Sequence, residues 1–77
     1  MSQRLPVIST REAVKAFGKA GFTEMAARGK GSHVFMHRDD PRAKLTIPKR
    51  KELRRGTLRS LISDAGLTVD EFIALLK

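Results

Sequence analysis

The chain has no cysteine, no tryptophan and no tyrosine among its 77 residues, and only four phenylalanines. Without cysteine it forms no disulfide, offers no thiolate to zinc and has no thiol nucleophile. The same absence fits a reducing compartment. Long apolar runs are missing too: nothing approaches the roughly 20 residues that cross a bilayer. The opening "MSQRLPVIS" does not read as a secretory signal. The expectation is a cytoplasmic protein with no membrane contact. A chain of this length buries only about 60% of its unfolded surface. Residues 1–77 are therefore expected to form one small domain with a shallow core, its function on an exposed face.

Positive charge is plentiful and uneven. Residues 28–59 carry eleven basic and three acidic side chains, enough to account for the whole net charge of +8. From Ser60 onward the chain is slightly acidic. A basic field concentrated in one region points to a polyanionic partner, either nucleic acid or an acidic protein.

The pattern begins with a helix. Ser9 and Glu12 have the spacing of a capping box, in which each side chain satisfies the other's free backbone N–H. Ala13, Val14, Phe17 and Ala20 line one face, with Arg11, Lys15 and Lys19 opposite, and Gly21 is suited to end it. The spacing predicts a helix over 10–20. "FTEMAA" is then a weak strand, "RGKG" a hairpin loop, "HVFMHR" a better strand, "DDPR" a turn and "AKLTI" a third strand ended by Pro48. Short connections imply an antiparallel meander. In "TLRSLISDAG", Leu58, Leu61, Ile62 and Ala65 repeat with helical spacing, and Gly66 closes the helix. Thr68 and Glu71 form a second capping box, ahead of Val69, Phe72, Ile73 and Leu76. These are core-facing stripes and carry no chemistry. The fold class is α+β, with the helices covering one face of a small sheet.

Alternation on the second strand decides where its histidines point. Val34 and Met36 share one face; His33, Phe35 and His37 share the other. Burying the second set would take two imidazoles out of water for the sake of one phenyl ring. His33, Phe35 and His37 are therefore expected on the open face. On the third strand Leu45 and Ile47 want burial, leaving Lys44 and Thr46 on that same open face. Cations for phosphates and a ring for stacking suit a nucleic-acid strand.

His33 is the candidate for proton transfer. It follows Gly31 and Ser32, which leave its approach open, with Lys30 and Arg28 close in sequence. RNA carries its own nucleophile, the 2′-hydroxyl, so a cleaving enzyme needs a proton-transfer group and cations to stabilise the phosphorane charge. DNA lacks that hydroxyl. No His-x-x-x-His pair lies on a predicted helix, and His33 and His37 are separated by about 13 Å along a strand. A shared metal ion is not expected, and no cofactor is implied. His37 is at most accessory. The run "KRKELRR" supplies Lys49, Arg50, Lys51, Arg54 and Arg55 to track a phosphate backbone, which would make binding salt-dependent.

The order of motifs adds a resemblance. "LPVIS" before a capped helix, "KAGF" at its end, "KGSH", "TIP" and "GTLRSLISDAGLTVDEFIALL" together closely resemble the HicA family of toxins from toxin–antitoxin systems, over residues 5–76. The resemblance implies a double-stranded-RNA-binding-domain-like fold, helix–three strands–helix, here with an extra C-terminal helix. It also implies a ribonuclease acting on mRNA, with the histidine of "GSH" essential. That role falls on His33, with Gly31 and Ser32 as its motif neighbours. A HicB antitoxin that masks the active site is the implied protein partner. The chain departs from the family pattern in a longer stretch between "GF" and "GSH". It also reads "KRKE" where many members place a histidine after the strand-ending proline. Two other readings compete: a non-catalytic RNA-binding module of the same fold, and a toxin whose basic face mainly grips an acidic antitoxin.

Overall fold

The computed structural model describes residues 4–25 and 33–77. The elements run α1 (Thr10–Lys19), β1 (Thr23–Glu24), β2 (His33–Asp39), β3 (Arg42–Pro48), α2 (Arg55–Asp64) and α3 (Val69–Leu75). The "RGKG" loop lies outside the described residues.

Both capping boxes form. Glu12 N–H donates to Ser9 Oγ at 3.1 Å while Ser9 N–H donates to the Glu12 carboxylate at 3.0 Å. Thr68 and Glu71 repeat the exchange at the start of α3. Each satisfies donors that have no partner within the helix. α1 ends where Gly21 takes φ 98°, which lets Phe22 N–H return to the Phe17 carbonyl at 3.1 Å. Gly66, at φ 76°, does the same after α2, with Leu67 N–H returning to Ile62.

The sheet is the expected meander, in the order β1-β2-β3 and antiparallel throughout. β2 and β3 pair along their full length, from His33↔Pro48 to Asp39↔Arg42, so the turn is only Asp40–Pro41, joined by a cis peptide bond. Of the expected strand "FTEMAA", the described part pairs with β2 at Thr23↔His37 and Glu24↔Met36, while Ala26 and Ala27 lie outside the described residues. Ladder bonding continues one step, Met25 N–H donating to the Phe35 carbonyl at 2.8 Å.

Met36, Leu45 and Ile47 are buried on one face under α1 and α2, with Val34 and Ala43 partly covered beside them. Leu58, Leu61, Ile62 and Ala65 bury the whole α2 stripe. α1 is rotated from its expected stripe: Thr10, Ala13, Ala16 and Phe17 are buried, and Val14 and Ala20 only half so. The cause is α3, whose Leu75 and Leu76 flank the Ala16 side of α1. Of the α3 stripe only Phe72 is fully buried, its ring 4.9 Å from that of Phe17.

Leu5, Ile8 and Leu53 complete the core from irregular segments. Ile8 and Leu53 form an isolated antiparallel bridge, so the chain entering α1 lies against the chain entering α2. Among the described residues no helix is long and apolar enough to cross a membrane.

Candidate nucleic-acid interface

The uncovered face of the sheet is set by parity. His33, Phe35, His37 and Asp39 of β2 stand with Thr46, Lys44 and Arg42 of β3, because Phe35 pairs with Thr46, His37 with Lys44 and Asp39 with Arg42. Thr23 and Met25 extend the same face on the β1 side. His33, Lys44 and Thr46 are exposed and His37 is half-buried, as the alternation predicts. Phe35 is 47% and Met25 44% exposed, so two large apolar side chains lie side by side in water. A flat apolar pair rimmed by cations has the character of a stacking platform.

The candidate residues fall into three groups. His37, Asp39, Arg42 and Lys44 line one shallow hollow of about 140 Å³ with Met25, and the His37 imidazole Nδ1 lies 3.7 Å from an Asp39 carboxylate oxygen. His33 stands at the other end of β2, about 13 Å away along the strand. Its register partner is Pro48, so Lys49 is the nearest cation of the basic run in sequence. Lys44 faces His37 rather than His33, and the two histidines do not meet.

The basic run forms the third group. Arg50 and Arg54 line a recess of about 360 Å³ with Leu53 and Thr57. Arg54 is the N-cap of α2 and makes no side-chain capping bond. Arg55 Nε donates to the Leu5 carbonyl at 2.7 Å, so part of that guanidinium is structural. Lys49, Arg50, Lys51 and Arg54 are exposed. Arg28, Lys30, Gly31 and Ser32 lie outside the described residues.

Sequence reasoning missed Met25, Asp39 and Arg42 on the open face. Extending the two-residue alternation one step beyond each strand end would have found the last two. It also missed Thr10, whose hydroxyl donates to the Pro48 carbonyl at 2.5 Å and accepts from Arg50 N–H at 2.7 Å. That bridge ties the first turn of α1 to the chain leaving β3, beside the partner of His33. Nothing in a helical pattern signals such a contact.

A helix, an antiparallel meander and two further helices stacked on one face, with the other face open, define an α+β protein of the double-stranded-RNA-binding-domain-like class. Residues 10–67, well over half of the chain, match the family model for the HicA toxin of bacterial toxin–antitoxin systems, and the chain belongs to that family. It is thus a toxin of a toxin–antitoxin system, from a family known for cleaving RNA, and membership implies an antitoxin partner. No individual protein of curated function matches it.

Proposed function

We propose that this toxin is a metal-independent endoribonuclease acting on mRNA, with His33 as its proton-transfer residue and a HicB-like antitoxin as its protein partner. The observation that carries the reading is the exposed placement of His33 on the uncovered sheet face. It shares that face with Phe35, and the basic run begins one residue beyond its partner Pro48.

The chemistry asks little of so small a protein. The 2′-oxygen attacks the adjacent phosphorus and loses its proton; the P–O5′ bond breaks and O5′ takes up a proton. The products are a 2′,3′-cyclic phosphate and a 5′-hydroxyl. His33 serves one of these transfers, as base toward the 2′-hydroxyl or acid toward O5′. Arg28 and Lys30, four and two residues before the "SH" pair, are assigned to the phosphate beside it. Phe35 stacks a base next along the strand, while His37 and Lys44 contact a phosphate further on. Gly31 and Ser32 are assigned as the small motif neighbours of the imidazole. Lys49, Arg50, Lys51, Arg54 and Arg55 hold the flanking backbone, Arg55 with the part of its guanidinium that Leu5 leaves available. Exposed cations suit such a strand, because each phosphate neutralised releases counterions.

The test is cleavage of RNA by purified protein with a chelator present. His33→Ala is expected to lower the rate by about a hundredfold or more, and a 2′-deoxy substitution at the cleaved position to abolish it. Full activity in the variant, or equal cleavage of the deoxy substrate, ends the assignment. Retained RNA binding without any cleavage by the parent would instead favour a non-catalytic RNA-binding module.

A further inference from the structure

The ribonuclease reading leaves one cationic feature unused. Arg11, Lys15 and Lys19 recur every fourth residue along α1 and are all exposed, so they form a single stripe. The one acidic side chain of that helix, Glu12, is turned back into the capping box with Ser9. Among the described residues no ion pair engages Arg11 or Lys15, while Lys19 Nζ donates to the Lys77 carbonyl at 2.7 Å.

The stripe starts where the His33 end of the sheet finishes. Thr10 N–H donates to the Arg50 carbonyl, and its hydroxyl accepts from Arg50 N–H and donates to the carbonyl of Pro48, the register partner of His33. Arg11 and Lys49 therefore line one groove of about 380 Å³ with Thr10, Val14, Val34 and Glu24, its two cations outnumbering its one carboxylate. From His33 the cations run around the end of β3 in the order Lys49, Arg11, Lys15, Lys19.

We propose that this path is a track for the RNA strand on one side of the scissile bond, an inference that rests on the ribonuclease reading. The strand leaves the sheet at His33, passes Lys49 and Arg11, and lies along α1. Arg11 to Lys19 spans about 12 Å of helix, the length of three to four stacked nucleotides at roughly 3.4 Å each. A protein partner would need apolar anchors. The exposed large apolar side chains among the described residues are Val7, Met25 and Phe35, none of them on α1. Evenly spaced cations without an anchor fit a phosphate chain.

The track makes substrate length matter on one side only. The probes are oligonucleotides in which a single ribonucleotide marks the cleavable bond, extended from two to eight nucleotides on the 5′ or the 3′ side. Extension on one side is expected to raise kcat/KM by about tenfold, mostly through KM, and extension on the other side by much less. Lys15→Glu should collapse that long-to-short ratio toward about two. Arg59→Glu makes the same change in charge on an exposed position of α2 and should keep the ratio. A ratio that survives in Lys15→Glu, falls equally in both variants, or is the same on both sides overturns the track while leaving cleavage itself standing. A parent protein that cleaves none of the probes overturns the ribonuclease reading, and the track with it.

Discussion

The guanidinium carbon of Arg38 sits 4.5 Å over the Phe22 ring centroid while its Nη2 donates to the Ala65 carbonyl at 3.0 Å. Its Nε donates to the Pro41 carbonyl at 2.8 Å. One side chain from the end of β2 thus covers the residue that follows α1, binds a carbonyl at the end of α2 and braces the β2–β3 turn. Arg38 therefore belongs to the scaffold, although it lies inside the basic region that the composition assigns to a polyanion.

Replacing Arg38 by Met keeps the stem and removes the donors. The expected loss is about 2 kcal/mol from charged hydrogen bonds and the ring contact. In a domain of this size that lowers Tm by roughly 8–16 °C. Lys should recover less than half, since one ammonium cannot replace a planar fork. Thermal unfolding followed by circular dichroism checks both, and an unchanged Tm for Met would remove Arg38 from the scaffold.

Thr10→Val keeps the shape and the backbone bonds but leaves the Pro48 carbonyl and the Arg50 N–H without their hydroxyl partner. The expected cost is about 1–3 kcal/mol, with Thr10→Ser close to the parent. The gain from substrate extension should also shrink in Val, because the bridge holds α1 beside the end of β3. Denaturant titration and the oligonucleotide series read the two effects separately.

Phe35 and His37 should affect RNA without affecting the fold. Phe35→Ala is expected to change stability by less than about 0.5 kcal/mol. It should cost about 1–3 kcal/mol of stacking, a rise of roughly 5- to 150-fold in Kd for single-stranded RNA. His37→Ala should leave kcat within about tenfold of the parent, because a group about 13 Å from His33 cannot serve the same phosphorus. A His37→Ala loss as deep as that of His33→Ala would place the chemistry in the hollow beside Asp39.

Two glycines flanking the end of α1 should respond with opposite signs. A Cβ at Gly18 meets nothing within 4 Å, so Gly18→Ala should stabilise by about 0.5–1 kcal/mol through helix propensity. Gly21 holds φ 98°, where Ala is strained by about 1–2 kcal/mol. Paired thermal melts decide both.

Much of this molecule was legible as a string. Periodicity of 3.6 and 2 marked the helices and strands, and the capping pairs Ser9/Glu12 and Thr68/Glu71 marked two helix starts. Alternation along "HVFMHR" placed His33, Phe35 and His37 on one face because a strand has only two. All of these depend on neighbours in sequence, where local sterics and hydrogen-bonding reach are enough.

Contacts between distant segments were decided elsewhere. Leu5, Ile8 and Leu53 carry no period, yet all three are buried, the last two across the bridge that joins them. Arg38 and Arg42 look alike in sequence, yet one reaches Ala65 across 27 residues and the other stands on the open face. Lys44 is set opposite His37 and not His33 by the β2–β3 register, which the two-residue turn imposes. Composition determined that the chain would be a small cationic domain with few groups able to move a proton. Which cations share a path with which imidazole was decided only by tertiary packing, because bridges such as Thr10 to Pro48 join residues that no local pattern relates.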